Sequence, residues 1–346
     1  MMPDSKAAFE QFKQDGDFLA FTRQFERDLE QTYHFDVLGG KATLLNTGVL
    51  LVEPENPITP ARDIVISSGV HGNETAPIEI VNQLVSEIVL KQQEIKHRTL
   101  FMIGNIVAMN ISKRFEVENM NRLFMGKHAN IGECYEKHRA AQLERYVTNF
   151  FEAGTEDATR HHYDLRTAIR DSKYEKFAIY PYQGNKPWDK EQLCFMKACG
   201  VSTILFGHAP SGTFSYYSSA SFGAHAFTVE LGKVRPFGEN DMANFAAATD
   251  TLRNLITNTP QDLGAFNNDD FNLFTVLCDI TKETDNFKLN ISEDLANFTD
   301  FEVGTVLSED DTGNYVTKEQ GEAIVFPNAK VGNGQRAGLM VIPTEL

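Results

Sequence analysis

The chain predicts an α/β fold, a sheet covered by helices on both faces, followed by a small all-β domain. Two patterns point to it: apolar strands alternate with helix-period segments as far as Leu255, and from Phe271 onward only short strand-like runs and turns remain. A third observation marks the chemistry. The turn His71-Gly72-Asn73-Glu74 follows directly on the apolar run 63–70, so a polar cluster sits at the end of a buried strand. With 346 residues, 42% of them hydrophobic, one large or two ordinary domains are expected, here residues 1–260 and 261–346.

Residues 9–31 predict one helix, with Phe9, Phe12, Phe18, Phe21, Phe25 and Leu29 on a loose 3.6-residue period. Residues 49–52 predict a short strand closed by Pro54 and Pro57, and residues 64–70 a buried strand. Pro77 suits the first turn of a helix, where its missing N–H costs nothing. That helix runs to about Lys91 with Ile78, Val81, Leu84, Val85 and Ile88 inward. A strand over 100–107, a helix over 140–151, a strand over 163–169 and a helix over 193–199 follow. Strands over 202–206 and 226–231 lead to a helix over 241–255, stopped before Pro260. The run Ser215-Tyr216-Tyr217-Ser218-Ser219 has no Gly-x-Ser-x-Gly frame around it and predicts a loop. After a linker over 257–268, the runs 274–277, 287–289, 305–307, 323–326 and 339–342 predict strands. The turns Asp311-Thr312-Gly313-Asn314 and Gly332-Asn333-Gly334 lie between them.

Lys and Arg total 32 against 48 Asp and Glu, a formal net charge of −16. Nucleic-acid binding needs a basic face and is not expected. A small anionic ligand remains compatible if a few arginines line its pocket. The opening Met1-Met2-Pro3-Asp4-Ser5-Lys6 is polar and reads as no signal peptide, and no apolar stretch is long enough to span a membrane. Cys134, Cys194, Cys199 and Cys278 match neither a disulfide framework nor a Cys-x-x-Cys metal site, so they are expected as reduced thiols. A cytoplasmic enzyme fits these features.

His71 and Glu74, three apart in one turn, can meet a single zinc ion. Zinc held there would lower the pKa of a bound water and polarise an amide carbonyl, which points to hydrolysis. A carboxylate must then take the water proton and pass it to the leaving amine. Glu230 is the candidate: it ends an apolar strand before Gly232, which places it at a sheet edge facing a cleft.

The segment His71-Gly72-Asn73-Glu74-Thr75-Ala76-Pro77 resembles the aspartoacylase branch of the zinc carboxypeptidase superfamily, and within it the succinylglutamate desuccinylases. The resemblance continues through Glu118-Asn119-Met120-Asn121-Arg122-Leu123-Phe124 and Tyr163-Asp164-Leu165-Arg166-Thr167-Ala168-Ile169-Arg170. It recurs at 227–232 and 322–327, so it covers nearly the whole chain, tail included. It implies a zinc-carboxypeptidase-like mixed sheet flanked by helices, one zinc per chain, and hydrolysis of N-succinyl-glutamate to succinate and glutamate, the last step of arginine breakdown by the succinyl route. It assigns Glu230 the same acid–base role. It also implies Asn121 and Arg122 as a substrate-binding pair and Arg114 as the group that polarises the scissile carbonyl. The implied substrate carries three carboxylates, which guanidinium groups pair bidentately. Arg170 is a further candidate of that kind.

One position departs from the family pattern. Where the third zinc-ligating histidine is expected, this chain has Arg166, which stays protonated and has no lone pair for a metal. Against a divalent ion at 4 Å its charge costs up to roughly 8 kcal/mol at an effective dielectric of 20. His162 shares its strand face but lies roughly 13 Å away along the strand, and His161 points to the other face, so neither substitutes. Asp171 stands where the family usually has glycine, a strained position if φ is positive. The expectation is a desuccinylase fold and pocket with zinc binding and turnover impaired. Two alternatives stand beside it: a non-catalytic N-acyl-amino-acid-binding protein, and a deacylase for another substrate such as N-acetyl-aspartate.

Overall fold

The structure, a computed structural model, describes residues 4–130 and 132–346. The first expected helix is two: α1 (Ser5–Asp15) and α2 (Phe18–Gln24). Gly16 ends α1 at φ 71° in the left-handed region, and the Asp17 carboxylate then accepts from Ala20 N to start α2. The period of the phenylalanines carried across that break because both helices bury the same core. Strands β1 (Tyr33–Val37), β2 (Gly40–Asn46) and β3 (Val49–Pro54) form a meander. Then come β4 (Arg62–Ser68), α3 (Thr75–Val89), β5 (Arg98–Ile103), α4 (Ile106–Asn110), α5 (Tyr135–Glu152) and β6 (Thr159–Ala168). The chain continues through β7 (Phe177–Tyr180), α6 (Lys190–Ala198), β8 (Thr203–Phe206), α7 (Phe214–Phe222), β9 (His225–Lys233) and α8 (Ala246–Thr257). The tail is β10 (Asn272–Lys282), β11 (Lys288–Leu289), β12 (Thr299–Asp300), β13 (Val306–Glu309), β14 (Tyr315–Val316), β15 (Ala323–Val325) and β16 (Gln335–Pro343).

The fold class is the expected mixed α/β arrangement. Among the described residues thirteen strands form one sheet in the order β1-β2-β3-β5-β4-β6-β9-β7-β8-β10-β16-β15-β12. Its centre, β5-β4-β6-β9, is parallel, β7 runs antiparallel to β9, and β8 is parallel to both β7 and β10. The first tail strand is therefore hydrogen-bonded to the body of the sheet. The strands β11-β13-β14 make a separate small sheet.

The two faces of the central strands differ in chemistry. On one face Ile64, Ile66, Tyr163, Leu165, Phe227 and Val229 join the core built with α3, α6 and α8. On the other, alternation brings Ser67, His162, Asp164, Arg166, Thr228 and Glu230 together beneath α5 and α7. Buried polar groups are normally hydrogen-bonded, and all of these except Glu230 are. Ser67 Oγ donates to Asp164 Oδ1 at 2.7 Å and lies 2.9 Å from His162 Nε2, while Ser218 meets His162 Nδ1 and Ser215 meets Thr228, both at 2.7 Å.

Ser215 and Ser218 lie on α7, not on the expected loop. Thr213 caps its start by accepting from Tyr216 N, and Gly223 ends it at φ 65°. The helix gave no amphipathic signal because it packs its serines on the polar sheet face and Phe214 in the core beneath α5. The four cysteines are free thiols, two of them buried. No helix among the described residues is long and apolar enough to cross a membrane.

Candidate functional site

The site starts where β4 ends. Gly69, at φ 63°, turns the chain out of the sheet, and Glu74 closes the turn at the N-terminus of α3. Gly72 is required between them. A Cβ there would lie 2.1 Å from Met109 N, so only glycine lets the turn pack on α4. Gly72 N donates to Arg114 O at 3.1 Å, which ties this turn to the loop that carries the candidate arginines.

His71 and Glu74 are both buried, with His71 Nδ1 2.7 Å from Glu74 Oε1. His71 Nε2 lies 2.9 Å from Asn119 Oδ1, and the same oxygen accepts from Asn121 N at 3.1 Å. Asn119 therefore presents an acceptor, and His71 Nε2 carries the proton. Burial, together with the Arg114 and Arg166 guanidiniums, lowers the His71 pKa to about 4, so the ring is neutral near pH 7. Its Nδ1 lies between Glu74 Oε1, which can only accept, and Arg166 Nη1, which can only donate and is 3.0 Å away. Burial alone would raise Glu74, but contact with His71 and the Arg114 and Arg166 guanidiniums outweigh it and hold the carboxyl well below its usual range. Arg114 Nη1 donates to Glu74 Oε1 at 2.9 Å. Glu74 Oε2 is buried and finds no hydrogen-bond partner among the described residues.

Arg166 is 1% exposed and fully committed. Its Nε and Nη2 both donate to Asp164 Oδ2, at 2.9 and 2.6 Å, and its Nη1 lies 3.9 Å from Glu74 Oε2. Glu230 is its register partner on β9. Glu230 thus lies on a central strand between β6 and β7, near the C-terminal ends of the parallel strands, and not at a sheet edge as expected. Burial, with Glu74 nearby, raises the Glu230 pKa to about 8 against the pull of Arg166 and Arg114. Its Oε2 also finds no hydrogen-bond partner among the described residues.

The residues present do not fit a three-ligand zinc centre. His71 Nδ1 and Glu74 Oε1 converge as two ligands of one ion would, and Glu74 Oε2 is unsatisfied. A buried guanidinium, however, occupies the third side, 3.0 Å from the nitrogen that a metal would need, and offers no lone pair itself. No group of three His, Cys, Asp or Glu among the described residues could hold a metal ion. Neither neighbouring histidine replaces the missing ligand. Both His162 nitrogens are bonded to serines, and His161 lies across the sheet beside Tyr163.

Arg122 follows Asn121 in a single 3-10 turn, Met120–Arg122, and is open to solvent. Its Nη1 donates to Asn121 O at 2.8 Å. The surrounding protein mass and the guanidiniums of Arg336, Arg114 and Arg166 depress its pKa to about 9. A guanidinium keeps its proton in a protein, so this crowding of cations amounts to a demand for an anion. Arg336, on β16 of the tail, is a group that sequence reasoning missed. Asn119 and Asp164 were missed too, although both lay inside motifs already singled out. Asn121 is buried, and its Oδ1 accepts from Phe214 N at 3.2 Å.

Arg170 is placed elsewhere. Its Nη1 donates to the carbonyls of Glu293 and Leu295, tying the segment after β6 to the tail. Asp171 is not among the residues with positive φ, so it carries no backbone strain. It accepts from Lys233 Nζ at 2.7 Å.

Residues 60–256 match the succinylglutamate desuccinylase/aspartoacylase catalytic domain, and residues 269–344 match the AstE/AspA barrel-sandwich hybrid domain. Succinylglutamate desuccinylase of Idiomarina loihiensis is 48% identical over 334 residues, 95% of this chain and 97% of that one. The crystal structure of succinylglutamate desuccinylase from Chromobacterium violaceum superposes with TM-score 0.84 at 36% identity, covering 96% of this chain and 98% of that one. The Vibrio parahaemolyticus structure gives TM-score 0.86 at 33% identity, with 95% of each chain covered. With two family models and near-full-length relatives in agreement, this chain belongs to the succinylglutamate desuccinylase/aspartoacylase family.

Proposed function

We propose that this chain recognises N-succinyl-L-glutamate in a desuccinylase-type site, with hydrolysis to succinate and glutamate held down by Arg166. The observation that carries the reading is the Arg166 guanidinium, pinned by Asp164 and seated on His71 Nδ1. The relatives at 45–48% identity are named succinylglutamate desuccinylases, which supports the substrate. The Arg114, Arg122 and Arg336 guanidiniums around one site suit a ligand with three carboxylates better than N-acetyl-aspartate, which has two.

The chemistry follows from these groups. An amide is a poor electrophile, and water at neutral pH is a poor nucleophile. A guanidinium can offset charge on a tetrahedral oxyanion, but it cannot turn bound water into hydroxide. Burial, with Glu74 nearby, raises the Glu230 pKa and favours its protonated form, in which it can give a proton to a leaving amine. In this site the chain's own residues bind and orient the substrate while the nucleophile is lacking. The second reading, a non-catalytic binding protein of the same ligand class, is favoured by the same Arg166 contact.

Calorimetric titration of N-succinyl-L-glutamate and N-acetyl-L-aspartate into chelator-treated protein tests the reading. Tighter binding of the succinyl compound is expected. Equal or reversed affinity would overturn the substrate assignment. A family relative carrying out this reaction would act at the last step of arginine breakdown, and that place is proposed here for the chain's substrate.

A further inference from the structure

We propose that Glu136 and Glu144 of α5 are positioning residues that hold the substrate-arginine loop in register with the His71–Glu74 turn. The proposal rests on the N-succinylglutamate reading for its ligand, but its geometry is independent of that reading. Residues 111–134 carry Arg114, Asn119, Asn121 and Arg122. Among the described residues this stretch contains only two short 3-10 turns, Met120–Arg122 and Lys127–Ala129. A segment without ladder or helix must find partners for its backbone N–H groups elsewhere.

Helix α5 supplies them at two points. Glu136 is fully buried, and its Oε1 accepts from Glu116 N at 2.7 Å, from Val117 N at 3.3 Å and from Asn105 Nδ2 at 3.3 Å. Glu144 Oε1 accepts from Gly126 N at 3.2 Å, and its Oε2 lies 3.0 Å from His128 Nε2. The two carboxylates stand about 12 Å apart along the helix axis. One grips the loop just after Arg114, the other just after Arg122. Between the grips lie the contacts that face the site: Asn119 on His71, and Asn121 Oδ1 on Phe214 N. Phe124 stacks on Phe214, ring centroids 4.3 Å apart, and closes the second half of the loop.

Packing alone does not account for Glu136. Burying a carboxylate is unfavourable, and its Oε2 has no hydrogen-bond partner among the described residues, so an apolar side chain would fill the same space with less penalty. What the carboxylate adds is an acceptor for two successive loop amides. A loop displacement of about 1 Å changes a bidentate clamp by up to a hundredfold. These two carboxylates therefore act on ligand affinity through Arg114 and Arg122 without touching the ligand.

The test combines amide hydrogen exchange with N-succinyl-L-glutamate titration on the full chain. Glu136→Ala is expected to speed exchange at Glu116 and Val117 and to raise Kd by about tenfold or more. Glu136→Gln keeps an acceptor oxygen and is expected to restore both. Glu144→Ala is expected to loosen Gly126 and raise Kd, with Glu144→Gln restoring affinity. Unchanged Kd in the folded alanine variants, or unchanged exchange at those amides, overturns the proposal. If Glu136→Ala does not fold, the Glu144 pair decides by the same criteria. If the parent chain fails to bind N-succinyl-L-glutamate, the substrate reading falls, and exchange at Glu116, Val117 and Gly126 decides the positioning claim by itself.

Discussion

Arg166 Nη1 lies 3.0 Å from His71 Nδ1, so a buried cation of the chain itself sits against the imidazole that begins the His71–Glu74 turn. The contact is held from behind. Asp164, with no exposed surface, takes two hydrogen bonds from the same guanidinium and is itself braced by Ser67.

Removing one member of a fully buried ion pair leaves the other uncompensated. Asp164→Ala is accordingly expected to destabilise the fold by about 3–5 kcal/mol, measured by urea unfolding. Loss of less than about 1 kcal/mol, the size of a surface pair, would mean that Arg166 is not held as described.

Stability is expected to fall as pH drops from about 6.5 towards 4. Burial depresses the pKa of His71, His97 and His162 to about 4, and that of His161 to about 3, with nearby arginines adding to the shift. In that window the unfolded chain binds more protons than the folded one, so the stability present above the unfolded pKa is lost on acidification. Each such histidine contributes a slope on the order of 1.4 kcal/mol per pH unit. His161→Phe, on the apolar face beside Tyr163, is expected to flatten the denaturant-midpoint profile over pH 4–6.5. An unchanged slope would contradict the assignment of His161 as buried and neutral.

The two arginines with different placements should separate cleanly. Arg122→Ala is expected to weaken N-succinyl-L-glutamate binding by roughly ten- to a hundredfold, as for loss of a charge-assisted bidentate contact. Arg170→Ala removes bonds to Glu293 and Leu295 carbonyls, so its main effect is a stability loss of about 1–3 kcal/mol. Equal effects of the two substitutions on Kd would place Arg170 in the pocket after all.

The legible parts of the sequence were those whose cause is local. The run 63–70 marked β4 because both its faces are buried, and the polar turn after it marked His71 and Glu74. The β1–β2 hairpin was overlooked although its buried positions alternate, Ala42, Leu44 and Asn46 in β2, because polar residues interrupt the apolar pattern. The break at Gly16-Asp17 was present as a cap signal and was overridden by the phenylalanine period. Helix α7 was hidden because its buried face is made of serines. Asn119, Glu136 and Arg336 were not legible, since each acquires its role only when distant segments meet. Glu230 was found from its position at the end of an apolar strand, but its place on a central strand depends on β7 returning antiparallel beside it.

The most direct measurement is the zinc-supplemented rate of glutamate release from N-succinyl-L-glutamate for this chain and for Arg166→His, side by side with zinc affinity by titration. The histidine form is expected to bind zinc one-to-one and to turn over faster by at least about 10²–10³-fold. Comparable rates and comparable tight zinc binding in the two proteins would contradict it, because Arg166 would then neither exclude the metal nor limit the reaction.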